Sequence, residues 1–195
     1  MPRLLRRDRN LFWFLVARSV GTLGTMATGF YTVYALREFG AAEWQVAAFT
    51  TLLLTGQVIG NVGLGWLADR IGHRTVLVLG LAALTTGNVL AFAADSVLGI
   101  RPVFVLLGIH YASIHISART ILLELAEEGE RPTYVGLVNT ALAPLTFVGP
   151  LAAGLMADRV GFPFVFAVAA AACALGVALL QTLVHEPRHL RRSAI

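Results

Sequence analysis

The 195-residue chain is 57% hydrophobic and only 13% charged, with a mean hydropathy of +0.74. A soluble domain carries about a quarter charged residues, so lipid is this chain's main solvent. Its formal charge of +4 comes from arginines with no lysine, set mostly in short segments between apolar runs, and no basic stripe with base-reading or aromatic neighbours occurs, which excludes nucleic acid as a partner.

Segment 1–10 is arginine-rich from Arg3 to Arg9. The apolar run behind it is too long for a cleaved signal peptide and lacks a small-residue cleavage site, so it reads as the first membrane span. Crossing the hydrocarbon core takes about 20 apolar residues at about 1.5 Å each. Six runs qualify, at 11–36, 44–67, 76–94, 102–125, 134–156 and 164–184. The connections between them are too short for a soluble domain. The expected fold class is an all-α membrane protein with six transmembrane helices. Its expected divisions are a cytoplasmic N-terminal segment 1–10, a six-helix transmembrane domain 11–185 and a cytoplasmic tail 186–195.

With six spans, both ends share a side with the connections after spans 2 and 4. That side holds Arg3, Arg6, Arg7, Arg9, Arg70, Arg74, Arg131, Arg188, Arg191 and Arg192, against Arg37, Arg101 and Arg159 on the other. The bias predicts a multi-pass protein of the plasma (inner) membrane with both termini in the cytoplasm.

The first span carries Arg18, Thr22 and Thr25 at three- and four-residue spacing, with Tyr31 and Tyr34 further on. Arg18 lies toward the cytoplasmic end, where it either snorkels to the interface or pairs with Glu124. Gly21, Thr25 and Gly29, like Gly56 and Gly60 of span 2, form small-x-x-x-small edges suited to close helix packing. Span 2 ends in Gly65-Trp-Leu-Ala-Asp69-Arg70-Ile-Gly72, continued by His73-Arg74. Gly65 and Asp69 share a helix face, and Asp69 sits at a helix C-terminus, where the macrodipole disfavours an anion. An arginine or the N-terminus of a neighbouring helix would satisfy it, as a gate latch that opens or as a static staple.

The fourth span is the most polar. Tyr111, His115 and Arg119 recur every four residues, with His110, Ser113 and Ser117 nearby. Intramembrane polar groups are costly and tend to face a bundle interior or a water-filled path. This set is the expected substrate or proton pathway, with a histidine able to take up a proton near neutral pH. The bland alternative is hydrogen bonding between helices. In span 5, Pro144 and Gly149-Pro150 predict kinks. Cys173, in an alanine-rich run of span 6, gives neither a disulfide framework nor a thiolate metal site. No metal and no cofactor are expected.

The motif after span 2 recurs after span 5 as Gly154-Leu-Met-Ala-Asp158-Arg159-Val-Gly161, displaced by 89 residues with five of eight positions identical. Three spans per copy is an odd number, so the copies have opposite orientation. The chain reads as two inverted three-helix repeats, at about 11–94 and 102–185, a building plan of secondary transporters with the solute site near the midplane between repeats. Only the first copy continues into extra basic residues; the second continues Gly161-Phe162-Pro163.

The stretch from Gly65 to Arg74 resembles the Gly-x-Leu-Ala-Asp-Arg-x-Gly-Arg-Arg/Lys signature of the major facilitator superfamily. The resemblance covers essentially the whole chain, although a complete member has twelve helices in two six-helix halves, and His73 stands where the family has arginine or lysine. It implies solute transport by alternating access, a gating role for Gly65, Asp69, Arg70, Gly72, His73 and Arg74, a looser copy of it at Gly154, Asp158, Arg159 and Gly161, and a cavity lined by the first and fourth helices of each half. Arg6-Arg7-Asp8-Arg9-Asn10 resembles the end of a central cytoplasmic linker and Glu186-Pro187-Arg188 a tail after a last helix, which implies a C-terminal half. Either Met1 begins a truncated gene or the chain is a half-size transporter that pairs with a second half or a second copy. The implied partners are the bilayer, a small-molecule solute and a proton.

No Gly-x-x-x-x-Gly-Lys-Ser/Thr loop occurs, so an ion or solute gradient is the expected driver. An intramembrane enzyme built on His110, Ser113 and His115 lacks a glycine elbow around the serine and a matched partner in a second span, and no catalytic residue is assigned. A non-transporting scaffold or degenerate half is the other alternative.

Overall fold

The structure, a computed structural model, describes residues 2–186. A short helix, Pro2–Arg7, leads into six membrane-length helices: Arg9–Phe39, Glu43–Ile71, His73–Ala93, Val97–Leu125, Arg131–Val160 and Phe162–Leu183, called spans 1 to 6. No strand occurs among the described residues. Most spans outrun the apolar windows by several residues, because a helix continues past the hydrocarbon into the polar interface. Span 5 stays helical through Pro144 and Pro150.

Spans 1, 3, 4 and 6 form the packed centre, with span 3 against spans 4 and 6, and span 6 against span 1. Span 2 lies on span 4. Without a hydrophobic drive between helices in lipid, small residues set such contacts. A side-chain carbon added at Gly56 would collide with the backbone of Val105, and one at Gly108 with the backbone of Leu53 and Gln57. Gly56 thus behaves as its spacing predicts, and Gly60 likewise meets Ala112 and Ile109. Gly29 does not: nothing lies within 4 Å of the corresponding position, so it is no packing edge.

The core is aromatic toward one end. Phe49 and Phe104 stack with centroids 4.5 Å apart, and Tyr31 and Tyr34 pack on Phe166. The Tyr31 hydroxyl donates to Asn88 Oδ1 at 2.8 Å, which satisfies two buried polar groups across spans 1 and 3. Spans 2 and 5 keep long exposed apolar faces, with Val58, Val62 and Trp66 on one and Phe147, Leu151 and Leu155 on the other.

The two repeats share backbone detail. Gly72 and Gly161, at equivalent positions, hold φ +97°, ψ 159° and φ +98°, ψ 162°, a region that side-chain-bearing residues rarely enter. Each makes a one-residue turn, and each donates its N–H to the carbonyl four residues back, Ala68 or Ala157, at 3.0 Å. The first helix of each repeat is also irregular at the same register: span 1 tightens to a 3₁₀ turn at Thr25–Ala27, and span 4 widens to a π turn at Ile114–Ala118.

The N-terminal segment and the last described residue are built into the bundle. Asp8 caps span 1, its Oδ1 accepting from Asn10 N at 3.0 Å and Leu11 N at 2.9 Å, while its Oδ2 accepts from the Tyr134 hydroxyl at 3.0 Å. Arg7 pairs with Glu130, whose hydrogen bond and charge hold the guanidinium above its ordinary proton affinity. Asn10 and His185 exchange two hydrogen bonds of 2.9 and 2.8 Å. Both ends of the described chain therefore meet the turn after span 2 and the connection after span 4 at one end of the bundle.

Candidate functional site

The first candidate region is the turn between spans 2 and 3. Asp69 and Arg70 are exposed on the last turn of span 2, and the Arg70 guanidinium lies over the Trp66 ring, 4.0 Å from its centroid. His73 is 6% exposed, and its Nδ1 lies 3.1 Å from Ser117 Oγ in the π turn of span 4, so it is a buried link between helices.

Glu186, read from sequence as the first residue of a tail, is only 7% exposed. Its Oε1 accepts from His73 N at 3.2 Å and its Oε2 from Arg74 N at 3.0 Å. The carboxylate thereby occupies the N-terminus of span 3, where free N–H groups and the helix dipole both favour an anion. Arg74 answers in the opposite sense: its Nε donates to Leu180 O at 2.9 Å and its Nη2 to Gln181 O, placing a cation on the last turn of span 6. Charge at both helix ends thus clamps spans 3 and 6 together. The resemblance gives Arg74 a place in the gating motif, and sequence reasoning misses Glu186, which lies just outside the last apolar run. The remaining tail residues, with Arg188, Arg191 and Arg192, lie outside the described residues.

In the second copy, Asp158 and Arg159 are exposed on the last turn of span 5, and a side-chain carbon added at Gly154 would meet the Phe30 ring at 3.6 Å, an ordinary contact.

The second region lies between spans 1, 3, 4 and 5. A cavity of about 210 Å³ brings together Arg18, Thr22 and Thr25 of span 1 with His110 and Tyr111 of span 4, closed by Leu81 of span 3 and Thr146 of span 5. A second cavity, of about 220 Å³, shares Thr28 and Tyr111 with it and continues to Thr32 and Thr50. The 3₁₀ turn at Thr25–Ala27 borders the first cavity. Its threonines use their hydroxyl protons locally, Thr25 Oγ1 donating to Thr22 O at 2.7 Å and Thr28 Oγ1 to Thr25 O at 2.9 Å. They therefore offer the cavity mainly acceptor lone pairs.

His110 is 3% exposed. Its Nδ1 is 3.1 Å from the Gly80 carbonyl, which can only accept, so Nδ1 carries the proton and Nε2 is the basic nitrogen. Arg18 Nε is buried without a hydrogen-bond partner, and no carboxylate among the described residues lies within ion-pair distance of its guanidinium. The expected Arg18–Glu124 pair is absent.

Tyr111 lines both cavities, whereas His115 and Arg119 are exposed and are not part of either cavity's wall. Ser113 and Ser117 are buried in helix contacts, Ser113 Oγ donating to His110 O at 2.7 Å. No group of three or more metal-ligating side chains occurs among the described residues.

Comparison with known proteins agrees with this architecture. The chain is 26% identical to the inner membrane transport protein YajR of Escherichia coli, over 88% of its own length and 38% of the relative's. It is 27% identical to sugar efflux transporter A of the same organism, over 93% and 47%. The fold superposes on a peptide transporter POT solved with alafosfalin, with a TM-score of 0.77 at 16% identity, covering 92% of this chain and 41% of that one. The chain thus spans less than half the length of these proteins, which are named as transporters and not as enzymes. The sequence profile of the Major Facilitator Superfamily matches residues 13–194, so this chain of six membrane-length helices belongs to the Major Facilitator Superfamily.

Proposed function

We propose that the chain moves a small solute across the plasma (inner) membrane by alternating access, as one six-helix half of a transporter, completed by a second half or by a second copy. The observation that carries this reading is the cavity beside the irregular turns of spans 1 and 4, which gathers Arg18, Thr22, Thr25, His110 and Tyr111 within an otherwise apolar bundle. Polar groups are maintained inside a membrane protein where a solute or ion must pass, and interrupted helices mark such sites. Arg119 and His115, exposed on the same span, extend the path toward the missing half. His110 is the proton carrier: with Nδ1 committed to Gly80, Nε2 takes up and releases the coupling proton.

The 65–74 motif is the gate at the cytoplasmic end, with both termini on that side and its looser copy at 154–161 outside. We read this half as the C-terminal one, on the resemblance of Arg6-Arg7-Asp8-Arg9-Asn10 to a linker end and of Glu186-Pro187-Arg188 to a tail. Repeats 11–94 and 102–185 rock against the other half as units.

The test is flux into proteoliposomes holding the purified chain, under an imposed pH gradient, with the oligomeric state measured on the same preparation. A paired chain that moves a solute, and loses that flux in Thr25→Trp and Tyr111→Ala, supports the proposal. A folded, paired chain that moves nothing supports the alternative of a non-transporting scaffold.

A further inference from the structure

Among the described residues no carboxylate pairs with the Arg18 guanidinium. It borders a cavity at the level of the broken turn of span 1, and its Nε is buried without an acceptor. The cavity wall contains no aspartate or glutamate, and the nearest candidate named by the sequence, Glu124, makes no pair with it. Arg18 is half-buried with its Nε out of solvent, and withdrawing part of a guanidinium from water without a counter-charge is costly. Membrane proteins keep such groups where function requires them. Arg101 Nε is likewise buried without a hydrogen-bond partner; Arg18 differs from it in lining the cavity between spans 1, 3, 4 and 5.

From this we infer that the cavity takes a small oxyanion, a carboxylate or phosphate group, with Arg18 as its counter-charge. The inference rests on the transporter reading above and narrows it to an anionic solute. A guanidinium presents a planar fork of N–H donors that matches two oxygens of a carboxylate or phosphate. The Tyr111 side chain borders the same space. The wall at Leu81 and Ile114 is apolar, so the site suits an anionic head carried on a small apolar body. The volume of about 210 Å³ limits what this half alone encloses to a small molecule.

The test uses the purified full chain in detergent. Unfolding is followed by a thiol-reactive dye that reaches the single, buried Cys173 only as the bundle opens. The probes are sodium benzoate, its neutral isostere benzamide, sodium phosphate, and sodium chloride at matched ionic strength. Benzoate or phosphate is expected to raise the unfolding midpoint in a saturable way at millimolar concentration, with no shift from benzamide or chloride.

Arg18→Gln should unfold at a higher midpoint than the parent without ligand and lose the anion shift. Arg18→Lys should keep the shift at about tenfold weaker apparent affinity, and Arg37→Gln, a change at an exposed arginine outside the cavity, should behave as the parent. The inference is overturned if neither anion shifts the parent, or if the shift survives unchanged in Arg18→Gln. A gain in Arg18→Gln midpoint with no anion shift in the parent also overturns it, and assigns the counter-charge to a carboxylate of the second half. Anion binding without flux supports this site while removing the transport reading. Flux of a neutral solute at undiminished rate in Arg18→Gln does the reverse.

Discussion

Glu186 and Arg74 hold the same helix pair from opposite ends of the charge scale. Replacing a charge-bearing cap on a helix N-terminus costs about 1–2 kcal/mol, so Glu186→Ala should destabilise the chain by about that much. Glu186→Gln should cost less, because its amide oxygen still accepts from the span 3 backbone. Arg74→Ala should cost a similar amount by stripping Leu180 and Gln181 of their donor. The two changes share one junction, so the double variant should lose less than the additive sum, which thermal unfolding of the four proteins measures. Additive losses would mean that the two contacts act independently. The pair is half legible in the sequence. Arg74 stands in a recognisable motif, whereas Glu186 is 113 positions from the amide it caps and follows the last apolar run, where hydropathy carries no information. The burial of His73 is hidden for a related reason: the Ser117 that meets its ring lies on another span, 44 positions away.

The helices themselves are legible because length and apolarity fix a membrane span almost alone. Their irregularities are not. The π turn at Ile114–Ala118 leaves no compositional mark, and a period of four on span 4 does not reveal that Tyr111 lines the cavities while His115 and Arg119 are exposed outside them. Helix contacts divide the glycines in a way that substitution can expose. Gly108→Leu should abolish the folded chain, since the backbones of Leu53 and Gln57 occupy the space its side chain needs. Gly63→Leu, on the open face of the partner helix, should change the yield of monodisperse protein little. Size-exclusion profiles of fluorescent fusions would show the difference. Equal losses at both positions would indicate that the face around Gly63 is covered in the membrane.

For the molecule as a whole, arginine bias predicts orientation. In a Cys173→Ala background, cysteine placed at Arg37 should react with an impermeant thiol reagent in intact cells, and cysteine placed at Arg9 should react only after the membrane is opened. The opposite labelling would invert the topology and put the Gly72 turn outside. The exposed apolar faces of spans 2 and 5 belong to this scale too, since they give the six-helix bundle more uncovered surface than its centre requires.

The paired hydrogen bonds between Asn10 and His185 bring the start of span 1 beside the end of span 6. The order of the six helices is therefore a matter of where the gene is opened, not of what the bundle needs. A circularly permuted chain, cut at the Asp95–Ser96 connection and rejoined by a short bridge from Glu186 to Asp8, which keeps the cap of span 1, would translate the second triplet before the first and should close into the same arrangement.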